Sequence, residues 1–120
     1  MLTIERFTRL LGEAAASLPQ DIFEGLNLGI GVAEGSKTRS DTASGTPALI
    51  LGEYTASRQM GRGILLYYGS FSRVYPDMED DDAGYEIMMD VLKHELRHHL
   101  ESLAGSRELE FLDAKRLSEL

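Results

Sequence analysis

The stretch VLKHELRHHLESLAG, residues 91–105, carries the pattern H-E-x-x-H at His94, Glu95 and His98. On a helix, residues four apart lie on one face a single turn apart, so the two imidazoles stand side by side. Neutral imidazole is a good zinc ligand, and this spacing suits two ligands of one ion. Glu95 lies about 100° round the helix from His94, where its carboxylate can reach a metal-bound water. The pattern therefore predicts two metal ligands and one base, the arrangement of a metallopeptidase active site.

The sequence around this pattern predicts a long helix over residues 85–104. Two stripes of residues run along it, one suited to carry a metal and the other to pack into a core. Gly105 is well placed to end the helix as a left-handed cap. The alternative interpretation is a solvated helix with incidental histidines, since so short a pattern recurs by chance. The first stripe contains Ile87, Val91, His94, His98 and Glu101, and the second contains Met88, Leu92, Leu96, Leu100 and Leu103.

Composition fits one domain over residues 1–120, with 42% hydrophobic and 27% charged residues. The chain has no Cys, so a metal must be held by His and carboxylate. A net charge of −8 argues against a nucleic-acid partner, which needs clustered Lys and Arg. No signal peptide or membrane-spanning run is visible. We therefore expect a cytoplasmic protein with neither a nucleic-acid nor a membrane partner.

The rest of the chain alternates helix and strand signals. Residues 3–18 have helical apolar spacing, with Thr3 as a plausible N-cap and Pro19 as a stop. Strands are expected over residues 28–32, 48–54 and 64–71, the last two forming an antiparallel pair. Gly69 marks a bulge or a close backbone approach. The remaining expectations are a short helical piece within residues 19–27, a loop over 34–47, a turn over 58–63, an acidic connector over 76–84 and a last helix over 113–120.

Several of these strings together resemble the small bacterial metallopeptidases with a minimal zincin fold. They are GEY at 52–54, MGR at 60–62, YYGSF at 67–71, RVY at 73–75 and HELRHHLESLAG at 94–105. The resemblance implies an α+β domain with an N-terminal helix, a small mixed sheet beside the H-E-x-x-H helix and a short C-terminal helix. It also implies one zinc ion and hydrolysis of a peptide or protein substrate.

The third metal ligand is less well specified than the first two. Shorter relatives resemble H-E-x-x-H-x-x-G-x-x-D, but here Glu101 stands at the Gly position and Ala104 at the Asp position. Matching the later string LDAKRL, residues 112–117, to the short form makes Asp113 the third ligand. Asp113 has an alternative role as N-cap of the last helix.

Other carboxylates compete with Asp113. Glu101 lies on the histidine face, but three ligands along one straight helix stand in a row, whereas tetrahedral binding needs convergent ligands. Glu108 and Glu110 stay open as alternatives, because the path of the chain after the helix is unknown. His99 points about 100° away from His98 and is expected behind the ligands or on the surface.

The expected chemistry is attack by a metal-activated water, with Glu95 accepting its proton and passing it to the leaving amine. Tyr67 or Tyr68 could stabilise the developing oxyanion, or both could be sheet aromatics. An exposed edge strand could bind an extended peptide by strand addition. The alternative function is a catalytically silent zincin-like domain that binds metal or a partner. Glu95 favours the enzyme, because a structural zinc site is normally closed by four protein ligands and has no use for a base.

Overall fold

The N-terminal helix α1 spans Ile4–Ser17 in the computed structural model, which describes residues 1–39 and 48–106. The Thr3 side chain caps it by accepting a hydrogen bond from the Arg6 N–H at 3.2 Å, as the sequence predicts. A 3-10 helix over Gln20–Phe23 follows Pro19, within the range where a short helical piece is expected. The buried face of α1 consists of Phe7, Leu10, Leu11 and Ala14.

Five short strands form two sheets in the described ranges. The larger sheet has the order β1–β5–β4, with β1 parallel and β4 antiparallel to the central strand. The predicted antiparallel pair is therefore present, and Ile64 of the central strand lies between Ile30 and Tyr54 of its two neighbours. The strands are β1 (Gly29–Ala33), β2 (Lys37–Arg39), β3 (Ala48–Ile50), β4 (Gly52–Ser57) and β5 (Gly61–Tyr67).

The second sheet corrects two sequence predictions. Strand β2, within the predicted loop, pairs antiparallel with β3. Its three residues are all exposed, so no apolar pattern marked it as a strand. The single strand expected over residues 48–54 is two strands separated at Leu51, whose carbonyl oxygen accepts a hydrogen bond from the Tyr67 N–H at 2.9 Å. Residues 40–47 lie outside the described ranges.

Helix α2 spans Tyr68–Val74, where the sequence analysis wrongly continued a strand to residue 71. Tyr68 and Phe71 lie one turn apart and both pack edge-on against Phe7 of α1, with ring centroids at 5.3 and 4.9 Å. Gly69 does mark a close backbone approach, because a Cβ there would lie 2.5 Å from the carbonyl carbon of Gly35. The chain turns into a helix here since helical spacing places two aromatic rings on the core.

Helix α3 spans Asp81–Ser106, longer at both ends than predicted. It begins within the acidic connector, where the Asp80 carboxylate accepts a hydrogen bond from the Asp82 N–H at 3.1 Å. The predicted stop at Gly105 is wrong, since the helix includes this residue. The predicted core stripe is confirmed, and the expected last helix lies outside the described residues. That stripe, Met88, Leu92, Leu96, Leu100 and Leu103, is at most 1% exposed.

The fold is α+β, with α1 and α3 packed together and α3 also packed against β4. An ion pair from Arg9 to Asp81 at 2.9 Å joins α1 to the start of α3. No helix in the described parts of the chain combines the length and the apolar character that a membrane span needs.

Candidate metal centre

Helix α3 has three stripes of side chains, which face the core, strand β4 and a cleft. The apolar stripe faces the core, and a second stripe faces strand β4 with Val91, Glu95 and His99 at four-residue spacing. The third stripe, with His94 and His98, opens into a cleft between α3 and the strands. The helical period therefore separates the candidate ligands from the candidate base while keeping them within one turn.

His94 and His98 are exposed, and their Nε2 atoms lie 3.2 Å apart. The rings meet edge to face at a centroid distance of 4.8 Å. Two nitrogens bound to one tetrahedral zinc at about 2.0–2.1 Å stand about 3.3 Å apart. The observed separation fits a shared zinc ion, and in a metal-free protein it equally fits a hydrogen bond between the rings.

Glu101 also borders the cleft, but on the other side of the His98 ring. Its carboxylate lies 3.8 Å from Nδ1 of His98, whereas Nε2 is the atom that faces His94. This location suits a carboxylate that orients a ligand from behind rather than one that binds the ion. Among residues 1–39 and 48–106, no group of three or more His, Asp or Glu side chains is gathered closely enough to hold a metal. Asp113, Glu108 and Glu110 lie outside those ranges.

Glu95 is buried at 7% exposure between the cleft and strand β4. Burial raises the pKa of its carboxyl group, opposed by His94, His98 and a hydrogen bond from the backbone of Tyr54. A carboxyl group with a raised pKa accepts and returns a proton near neutral pH more readily than an exposed one. His94 and His98, two of the predicted ligands, and Glu95, the predicted base, thus lie together at one place in the fold.

The cleft in front of the histidines has a volume of about 780 Å³. Arg39, Glu53, Glu101 and Ser102 make its outer wall polar. A smaller cavity of about 350 Å³ adjoins it and shares Leu49, Gly52, His94 and Glu95. Its remaining walls are formed by the apolar side chains of Leu51 and Val91, with Asp90 at the edge. His94 and Glu95 therefore lie where the polar cleft meets the more apolar cavity, and His98 borders the polar cleft.

The two candidate oxyanion stabilisers point elsewhere. The hydroxyl of Tyr67 donates to the Glu53 carboxylate at 2.9 Å, and Lys37 binds the same carboxylate at 2.7 Å. The hydroxyl of Tyr68 donates to the carbonyl oxygen of Leu2, next to α1, because Tyr68 begins helix α2 rather than extending the sheet. In this structure neither hydroxyl is directed at His94 or His98.

Of the two locations that the sequence allows for His99, behind the ligands or on the surface, the surface is wrong, and its hydrogen-bond partners were not predicted. It is fully buried rather than on the surface; its Nε2 lies 2.7 Å from the carbonyl oxygen of Glu24 and its Nδ1 lies 3.0 Å from the hydroxyl of Tyr54. Burial lowers the pKa of its imidazole, which favours the neutral ring. The available signal was its position three residues after Leu96 and four before Leu103, two members of the apolar stripe.

Comparison with known proteins shows which family the chain belongs to. No family model matches the chain, and no curated protein matches it. Among solved structures, a conserved hypothetical protein from Thermo thermophilus is 35% identical, with a TM-score of 0.70. The alignment covers 87% of this chain and 99% of that protein. At this identity and coverage, the chain belongs to the same family as the conserved hypothetical protein from Thermo thermophilus.

Proposed function

We propose that this protein is a zinc-dependent peptidase with a zincin-like fold. The observation that carries the proposal is the 3.2 Å separation of the His94 and His98 Nε2 atoms, with the buried Glu95 carboxyl group beside them. A solvated helix with incidental histidines gives no reason for a buried carboxyl group at this place, because burying one costs free energy unless its charge is used or compensated. Asp113 is our proposed third ligand, with Glu108 and Glu110 as the alternatives.

The chain's own residues account for binding and proton transfer. A zinc ion held by His94 and His98 would lower the pKa of its bound water to about 7 and polarise a peptide carbonyl. Glu95 takes a proton from the attacking water and delivers it to the amine that leaves. Its raised pKa supports both steps, since the group must bind a proton and then release it.

We propose that the peptide substrate binds along the edge of strand β4. Among the described residues this strand pairs with β5 only, so no strand covers its other edge beside α3 and the cleft, where the Tyr54 backbone already binds Glu95. An extended peptide can add to such an edge through main-chain hydrogen bonds, with alternate side chains pointing into pockets. The apolar cavity formed by Leu49, Leu51 and Val91 adjoins Glu95 and favours an aliphatic side chain next to the scissile bond.

The experiment combines metal analysis with a cleavage assay. Purified wild-type protein is equilibrated with zinc, dialysed and analysed for metal, beside the double variant His94→Ala, His98→Ala. Lys93→Ala is the control on the same helix. We expect one zinc per chain in the wild type and the control, none in the double variant, and cleavage of a peptide library only by the zinc-loaded forms. A double variant as zinc-loaded as the wild type would place the metal elsewhere. Zinc binding without any cleavage would favour the silent metal-binding domain.

A further inference from the structure

The buried ring of His99 joins three parts of the fold. The carbonyl oxygen of Glu24 can only accept a hydrogen bond, so Nε2 of His99 carries a hydrogen and donates to this oxygen at 2.7 Å. In the neutral ring Nδ1 is then an acceptor, and the Tyr54 hydroxyl donates to it at 3.0 Å. These two bonds fix the tautomer and the orientation of the ring, and they tie α3 to the segment before β1 and to strand β4.

Tyr54 is held by α3 at two points one turn apart. Its backbone contributes a hydrogen bond to the Glu95 carboxylate, and its hydroxyl binds His99. A third close approach lies one strand repeat away, where a Cβ on Gly52 would be 2.7 Å from Cγ1 of Val91. Glu95, the proposed base, therefore also contacts β4, the strand that we propose binds the peptide.

The rotation of α3 about its axis decides where the candidate ligands point. A helix with its side chains is about 10–12 Å across, so a rotation of about 10° moves the side-chain ends by about 1 Å. Metal and catalytic sites need their groups held within about 0.5 Å. Among the described residues, the polar contacts of Tyr54 with Glu95 and His99 oppose such a rotation on the strand side of the helix.

We propose that the hydrogen bond between Tyr54 and His99 is a positioning contact, which sets the rotation of α3 against strand β4 and thereby the geometry of the zinc site. Tyr54 and His99 act through His94, Glu95 and His98 and do not touch the ion themselves. This inference rests on the proposed function, because it concerns the geometry of the same site. Loss of a residue that orients metal ligands typically costs about 10–100-fold in metal affinity.

The test compares two tyrosines that each lose one hydroxyl. Tyr54→Phe removes the donor to His99, whereas Tyr68→Phe removes a donor to the Leu2 carbonyl oxygen next to α1, a contact that involves neither β4 nor His99. Both tyrosines are half-buried, so the two variants should lose similar stability in urea unfolding. We expect zinc affinity to fall by about 10-fold or more in Tyr54→Phe only.

A second measurement reads out the contact directly. Amide hydrogen exchange in the zinc-free protein should speed up in β4 and in the middle of α3 in Tyr54→Phe, and remain as in the wild type there in Tyr68→Phe. Equal zinc affinity in the two variants, with unchanged exchange in β4, would overturn the positioning role. A wild type that binds no zinc would overturn the proposed function, and with it the site that this contact is proposed to position; the two failures are distinct because the first leaves wild-type zinc binding intact.

Discussion

The Nε2 atoms of His94 and His98 face each other at 3.2 Å, while the Glu101 carboxylate lies against the opposite nitrogen of the His98 ring. The two Nε2 atoms therefore face the same space between the rings, and Glu101 lies on the other side of the His98 ring. If the two histidines bind zinc as we propose, the third ligand approaches from the open side of the cleft to complete a tetrahedral site. We therefore expect it to come from the chain beyond α3.

Replacing Asp113 should test that expectation. Asp113→Ala should weaken zinc binding much more than Glu101→Ala or Glu110→Ala, because loss of a direct ligand removes one of three protein donors. The measurement is a zinc titration of each purified variant. If instead Glu108→Ala or Glu110→Ala shows the largest loss, the third ligand lies there.

The substitution Asp113→Ser distinguishes a role of Asp113 as helix cap from a role as zinc ligand. Ser caps a helix nearly as well as Asp but is not among the usual zinc ligands. Asp113→Ser should therefore retain stability and lose zinc affinity if Asp113 binds the ion. Wild-type zinc affinity in Asp113→Ser would rule the residue out as a ligand.

Close contact between strand β4 and helix α3 at Gly52 should not tolerate a side chain. A Cβ there would lie 2.7 Å from Val91 Cγ1 and 3.5 Å from Glu95 Cγ. Overpacking of this kind typically costs about 1–3 kcal/mol, so Gly52→Ala should lower the free energy of unfolding by that amount. Gly12→Ala is the matched control, since nothing lies within 4 Å of its added methyl group and alanine favours a helix by up to about 1 kcal/mol. The measurement is urea unfolding of both variants. A free energy of unfolding for Gly52→Ala equal to that of the wild type would mean that β4 and α3 pack less tightly than described.

The cluster of Glu53, Lys37 and Tyr67 should make stability depend on pH. The hydrogen bond from Lys37 and, to a lesser degree, that from Tyr67 lower the pKa of Glu53 against the opposing effect of burial. A carboxyl group with a lowered folded-state pKa stabilises the fold fully above its unfolded pKa of about 4.3, and this stabilisation is lost as pH falls through the lower folded value.

The corresponding variant is Glu53→Gln. Its deficit in unfolding free energy relative to the wild type should be constant near pH ~6–7 and shrink below about pH 4. The same substitution in a Lys37→Met background should show a smaller pH dependence, because the Lys37 hydrogen bond is the largest cause of the shift. A deficit that stays flat from neutral pH to about pH 3 in the wild-type background would contradict this account of Glu53.

Local patterns explain what the sequence predicted well. The spacing of apolar residues and histidines within α3 shows its helical period. The core stripe and the close approach of His94 to His98 therefore followed from spacing alone. Strands β4 and β5 are neighbours in the chain, and their antiparallel pairing followed from a short connection. Glu95 lies buried beside the two histidines, one residue from His94 as its spacing requires, and its role as a base stays a prediction.

Long-range packing explains the errors. Tyr68 and Phe71 suit a strand by composition, but contact with Phe7 of α1 makes a helix more favourable there, and no local signal reports on Phe7. The parallel pairing of β1 with β5 and the hydrogen bond from His99 to the Glu24 carbonyl oxygen both join distant parts of the chain. The spacing of His99 from two core leucines indicates that it is buried, but its hydrogen-bond partners depend on the fold.

The most direct measurement is peptide-library cleavage by zinc-loaded Glu95→Gln protein beside zinc-loaded wild type. Glutamine has nearly the shape of glutamate but cannot act as a base at neutral pH. The account predicts equal zinc content in both proteins, cleavage by the wild type, and a loss of at least about 100-fold in the variant. Equal cleavage by the two zinc-loaded proteins would contradict the role of Glu95, and no cleavage by either would contradict the peptidase itself.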